Sequence, residues 1–200
     1  MKKFINIRRA SAIILAIVFG LALVGCRKKE PAPVEPTLTV ETPQKLSASN
    51  KKEFTLDVEI SGLGDARYPA MSMRISFDSS RLEFLGVEEG NVFVLDSASS
   101  AGQKLPSWSY NVQSSNETGA ISIMYLDMTG GKNAFHKDLL SDNDNIVLRL
   151  KFRLRGSVRA GDVLDLIVED AVFAASDESQ SLAMTTGTLK TKNGRLVIGE

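Results

Sequence analysis

The chain has 200 residues with 24 basic and 24 acidic side chains and no formal net charge, so it lacks the positive excess on which nucleic-acid binding rests. A single cysteine excludes an internal disulfide, and a single histidine leaves a histidine-based metal cluster or a serine–histidine pair short of parts. The length is sufficient for one substantial hydrophobic core.

The chain opens with a basic stretch, Lys2, Lys3, Arg8 and Arg9, ahead of a short apolar run from Ala10 to Val24. About fifteen residues suit the core of an export signal better than a membrane span, which needs about 20. The run ends Leu23-Val24-Gly25-Cys26, and this tetrapeptide resembles the lipobox of bacterial lipoproteins. The resemblance implies cleavage before Cys26 and lipid on its sulfur; an ordinary secretory peptide or an uncleaved anchor is the alternative. Residues 1–25 are then a lipoprotein signal peptide, and the protein is exported and lipid-anchored to the bacterial cell membrane or cell surface. Cleavage removes four basic residues, leaving 20 basic against 24 acidic ones, a net charge of −4. Residues 26–36 hold the lipidated cysteine and a tether. Arg27, Lys28 and Lys29 suit anionic headgroups, and the three prolines of Glu30–Pro36 favour an extended segment of roughly 20 Å.

Residues 37–200 read as one all-β domain. Thr37–Thr42 and Glu53–Ile60 alternate apolar and polar side chains, the signature of strands with one buried face. Met71, Met73, Ile75 and Phe77 alternate with Ser72, Arg74 and Ser76; Asp78-Ser79-Ser80 forms a turn, and Leu82, Phe84, Leu85 and Val87 form the next strand. Further strands are expected at Val92–Leu95, Trp108–Gln113, Ala120–Asp127, Asn145–Leu154 and Val163–Glu169, with a loop at Ser97–Ser107 and a turn at SSNETG. Met128–Asp144 is irregular, with a helical turn around Lys137–Leu140. A closing hairpin, Thr186–Lys190 with Arg195–Gly199, turns at Asn193-Gly194, a dipeptide suited to a type I′ turn. Nine or ten short strands without a long amphipathic helix make a β-sandwich.

Glu53, Asp57 and Glu59 point outward on one strand, and Arg149, Lys151 and Arg153 on another. We read these as antiparallel neighbours with opposed charges, which fixes register; an anionic-ligand site is the alternative. Strand 120–127 is apolar on both sides, Ile121, Ile123 and Tyr125 against Ser122, Met124 and Leu126. Either a loop covers this second face or it awaits a partner. His136 falls in a polar loop. The run Ser141-Asp142-Asn143-Asp144-Asn145 lacks the glycine and glutamate of a calcium-binding EF-hand loop, with Val147 and Arg153 at those places. No cofactor or metal is expected on this chain, and no catalytic residue stands out.

Several segments in order resemble the cohesin domain. ISFDSSRLEFLGVEEG (75–90) is similar to the family's aromatic–aspartate, leucine–glutamate, glycine–valine pattern. AISIMYLDMTGG (120–131) looks like its apolar strand ending in an acidic residue and a glycine loop. VEDAVFAASDE (168–178) resembles its penultimate strand and the phenylalanine–alanine corner, and NGRLVIG (193–199) its closing strand. The resemblance implies a nine-stranded jelly-roll β-sandwich. It further implies a non-catalytic module that docks a dockerin-containing protein, with calcium on the partner's side. Carried over position by position, it puts partner contacts on Ala70, Ser72, Ser122, Met124, Leu126, Asp127, Gly130 and Ser176. Many cohesins of the best-known type carry asparagine and aspartate where Ala70 and Ser72 stand, and proline where Ser79 stands. A carbohydrate-binding sandwich is the alternative function, with Trp108, Tyr110 and Tyr68 as the candidate stacking platform.

Overall fold

The computed structural model describes residues 34–43, 46–92, 108–128, 130–141 and 145–200. The signal segment, Cys26, most of the tether, all but Val92 of the expected strand Val92–Leu95, the loop Ser97–Ser107 and Asp142–Asp144 lie outside them.

Strands β1 (Thr37–Val40), β3 (Phe54–Ser61), β5 (Leu82–Glu89), β8 (Ile146–Leu154) and β11 (Lys190–Lys192) form one sheet in the order β11-β1-β3-β8-β5. The second sheet contains β2 (Leu46–Ser47), β4 (Ala70–Ser76), β6 (Trp108–Ser109), β7 (Ala120–Leu126), β9 (Val163–Ala174) and β12 (Gly194–Gly199). Its order is β2-β12-β9-β4-β7-β6, with β10 (Leu182–Ala183) paired to β9. Setting aside the two-residue pieces β2, β6 and β10 leaves nine strands in two layers, the expected jelly-roll sandwich. Alternation along each strand delivers the core: Leu56, Val58 and Ile60 from β3 and Leu148, Leu150 and Phe152 from β8 face Met71, Met73 and Ile75 from β4 and Ile121, Ile123 and Tyr125 from β7. The ring of Phe77, just past β4, meets that of Phe152 edge-on at 5.4 Å, joining the layers.

The expected charge pairing is present. β8 lies antiparallel between β3 and β5, with Asp57 opposite Arg149 on one side and Glu83 opposite Arg153 on the other. Arg149 pairs with Asp57 at 3.1 Å, Lys151 with Glu88 at 2.9 Å and Glu53 at 3.3 Å, and Arg153 with Glu53 at 2.9 Å. The carboxylates of Glu88 and Glu53 raise the Lys151 ammonium above its usual range. Water-exposed pairs of this kind add little to stability; their main effect is on register.

Three expectations need correction. Residues Val112–Thr118 form a short helix, α1, rather than strand and turn. Asn111 Oδ1 accepts from Ser114 N at 2.8 Å to start it, and Gly119, at φ 68°, ends it with its N–H on Ser115 O. Helix caps of this chemistry contribute about 1 kcal/mol. Secondly, Asn193-Gly194 is not a hairpin turn. β11 runs parallel to β1, whereas β12 joins β9 and β2 in the other sheet. Asn193 Oδ1 instead accepts the Val168 N–H at 2.9 Å. Gly194 is small because a Cβ there would lie 2.8 Å from Val40 Cγ1. Thirdly, β9 extends to Ala174 and is interrupted by a bulge: Arg74 is opposite Asp170 but Ile75 is opposite Val168, leaving Glu169 as the extra residue.

Helix α1 packs beside β5. Asn116 Oδ1 accepts from Phe84 N at 2.9 Å and Asn116 Nδ2 donates to Phe84 O at 2.8 Å, so the side-chain amide occupies the free edge of β5 as a neighbouring strand would. Under the β4–β7–β9 end of the second sheet runs a line of rings, Trp108, Tyr125, Phe135, Phe173 and Tyr68, with successive centroids 5.1–6.3 Å apart. Tyr68 and Phe135 also exchange two backbone hydrogen bonds of 2.9 Å, fastening their loops together.

Asn116→Ala leaves the Phe84 N–H and C=O without their partner and should lower unfolding free energy by about 1–3 kcal/mol in urea titration, against little change for exposed Gln113→Ala. A second prediction concerns Tyr125, which is 1% exposed and donates its hydroxyl to Asn133 O at 2.7 Å. Burial, with the Asp127 charge adding, pushes its pKa up to about 12. The folded chain holds this proton more tightly than the unfolded one, whose tyrosines titrate near about 10. That contribution is intact below about pH 10 and is lost as pH rises towards 12. Tyr125→Phe should flatten the decline of unfolding free energy above about pH 10 by about 2 kcal/mol. Tyr68, which burial also raises, and Lys151, raised by Glu88 and Glu53, add to the remaining slope.

Candidate functional site

β4 is antiparallel to both its neighbours, so outward side chains of three strands line up in rows. Ala70 stands between Leu126 and Ala174; Ser72 between Met124 and Val172; Arg74 between Ser122 and Asp170. Ser109 of β6 extends the middle row beyond Met124. The face is therefore flat and small-residued in the middle, with two tall apolar side chains along β7. Met124 is 56% exposed and Leu126 53%, and Met128, just past the strand, is 82% exposed. Such exposure is unusual for adjacent large apolar residues on a strand whose other side is core. Covering each of them would contribute on the order of 1 kcal/mol, half the value for a fully exposed side chain.

The third row is polar. Arg74 Nε donates to Glu169 Oε2 at 2.7 Å, and Arg74 Nη1 reaches Ser122 Oγ at 3.3 Å. A groove of about 520 Å³ runs beside these rows, bounded by Ser72, Arg74, Met124, Tyr110 and Asp170.

Of the residues expected at the site, Ala70, Ser72, Ser122, Met124 and Leu126 thus come together on one continuous outward surface. Gly130 is exposed in the loop after β7, and Ser176 is exposed two residues beyond the end of β9, on the outward parity of Val172 and Ala174. Asp127 departs from the expectation of an acidic rim. It is 8% exposed, its N–H binds Pro69 O and its carboxylate accepts the Asn133 N–H at 3.3 Å, so it organises the loop instead of facing a partner. Val172, Ala174 and Asp170 belong to the face but were not anticipated, whereas the alternation of β4 already put Arg74 beside Ser72. The first two follow from extending the alternation of β9 past Glu169, which the bulge conceals.

The aromatic residues do not form a stacking platform among the described residues. Tyr68 is buried at 1% exposure, Trp108 packs against Tyr125 at 5.6 Å, and Tyr110, 38% exposed, meets Phe84 edge-on. The indole N–H of Trp108 is itself buried without an acceptor among the described residues. His136 is occupied locally, its Nδ1 accepting the Asp138 N–H at 3.3 Å. Among the described residues no three His, Cys, Asp or Glu side chains are grouped to hold a metal ion.

Comparison with known proteins bears on this geometry. The family model of the cohesin domain matches residues 38–192. No curated protein matches the chain. Among solved structures, the third cohesin of ScaC from Acetivibrio cellulolyticus, in complex with the ScaB dockerin, superposes with a TM-score of 0.56 at 12% identity, over 82% of this chain and 99% of that one. A type I complex of the OlpA cohesin with a dockerin, from Clostridium thermocellum, gives 0.56 at 18% identity, over 83% and 99%. A non-cellulosomal cohesin from the archaeon Archaeoglobus fulgidus gives 0.51 at 15% identity, over 83% and 92%. At such identities the structures share a fold, while the family match spans most of the sequence, and on that ground the chain belongs to the cohesin-domain family.

Proposed function

We propose that this domain is a non-catalytic docking module, held at the cell surface by lipid on Cys26, that seats a dockerin-bearing partner on the outward face of β4, β7 and β9. The observation that carries the reading is the exposure of Met124 and Leu126 side by side on a strand whose opposite face is fully buried. Cohesins of the same fold have been solved with dockerins bound, which supports the choice of partner; the calcium of such a complex belongs to the partner. With Ala70 and Ser72 in place of asparagine and aspartate, recognition here rests on apolar contact more than on hydrogen bonds from β4. The lipid attachment is supported by Leu23-Val24-Gly25-Cys26 alone. The carbohydrate-binding alternative loses its main support with the burial of Tyr68 and the packing of Trp108.

Two experiments test this. Met124→Asp and Leu126→Asp should each weaken binding to calcium-loaded dockerins by roughly 100-fold or more in calorimetry, about 2.7 kcal/mol, while thermal unfolding moves little because both side chains already face water. A collapse of stability, or retention of the wild type on insoluble polysaccharide with no dockerin bound, overturns the reading. Separately, the full chain expressed in bacteria should incorporate radiolabelled palmitate and Cys26→Ala should not; an unlabelled wild type rules out the lipid anchor.

A further inference from the structure

The bulge in β9 places two consecutive carboxylates on the outward side. Glu169 and Asp170 are both exposed, because the extra residue restores Ala171 to the core without consuming an outward position. Arg74 commits to the first of them, at 2.7 Å from Glu169 Oε2. Asp170 stands opposite Arg74 in the ladder, but its carboxylate has no hydrogen bond or ion pair among the described residues. It sits one row from Ser72 and Val172, at the end of the apolar patch, and shares a groove with Met124 and Tyr110. This end of the face therefore carries two carboxylates against one guanidinium, a local excess of negative charge beside an apolar strip.

We infer that Asp170 is a specificity-determining contact, and that the partner's docking surface places a lysine or arginine on it, beside an apolar ridge covering Met124 and Leu126. The inference rests on the docking reading above and adds to it the chemistry of the partner. Charge complementarity is the argument. A free carboxylate next to two exposed apolar side chains favours a partner that offers both features, and repels one with an acid at the same place. The bulge also relocates the acidic determinant. β4 itself, with Ala70 and Ser72, offers no anion to a partner, and the adjacent strand supplies one. Because the group lies at the edge of the patch, it acts mainly on association rate and on discrimination among partners.

The test uses the full chain and a panel of calcium-loaded dockerins that differ in net charge on their docking helices. For dockerins with a basic residue there, Asp170→Lys should weaken binding at least tenfold and slow association. Asp170→Asn should weaken it severalfold and flatten the dependence of association rate on salt. A Lys→Glu or Arg→Glu change in the dockerin should recover binding to Asp170→Lys. Unchanged affinity of Asp170→Lys for a dockerin whose binding Met124→Asp abolishes overturns the inference while leaving the docking face intact. If no dockerin binds the wild type, or Met124→Asp has no effect, the docking reading itself fails and the inference falls with it.

Discussion

The register of β4 between β7 and β9 is the constraint from which the proposed docking surface follows. Both neighbours are antiparallel, and Ser72 is flanked by Met124 and Val172 in one row. A slip of β7 by one residue would carry Met124 and Leu126 into the core and Ile123 and Tyr125 into water. The buried face prevents this. Tyr125 is fixed by its hydroxyl on Asn133 O and by ring contacts to Trp108 and Phe135, and the parity of the outer face is set by the inner one. The ring line beneath these strands thus serves the surface above it.

The two outward faces of the sandwich have opposite characters, and the difference lies in the strands at their centres. β8 carries Arg149, Lys151 and Arg153 and is bordered on both sides by acids, so that sheet neutralises its own charges in place. β4 carries Ala70, Ser72 and Arg74, and its neighbours offer it apolar side chains, the paired carboxylate of Glu169 and that of Asp170, unpaired among the described residues. A surface whose polar groups are already satisfied has little to offer another protein. The unsatisfied surface is the one with apolar area still in water.

Much of this was legible in the sequence, for a physical reason: burial on one side of a strand imposes a period of two, and that period is visible in MSMRISF, EFTLDVEI and NIVLRLKFRL. The charge pairing of β3 with β8 was legible because like charges stacked along one outward strand repel each other unless a strand of the opposite sign lies beside them. What could not be read depended on contacts distant in sequence. Seven residues are too few for a helix to declare itself by periodicity, and α1 exists through caps at Asn111 and Gly119 and through Asn116 on Phe84, 32 residues away. Asn193-Gly194 has the composition of a turn but answers to Val168 and Val40, partners on other strands. Asp127 looked outward by its charge and place, yet loop closure turned it in. The family resemblance drew its expected contacts mostly from β4 and β7, and the extra residue at Glu169 hid that β9 lies beside them with outward side chains of its own.

The amide of Asn116 has a consequence beyond the energy of its two hydrogen bonds. A sheet's last strand is an open template on which another chain can add itself. Here a side chain from the chain's own helix mimics the missing neighbour at Phe84. Growth of the sheet is halted at that point by a decoy. Loss of that decoy would act on what many copies do together as well as on how well one copy folds, because it leaves the edge of β5 open to pairing with another chain.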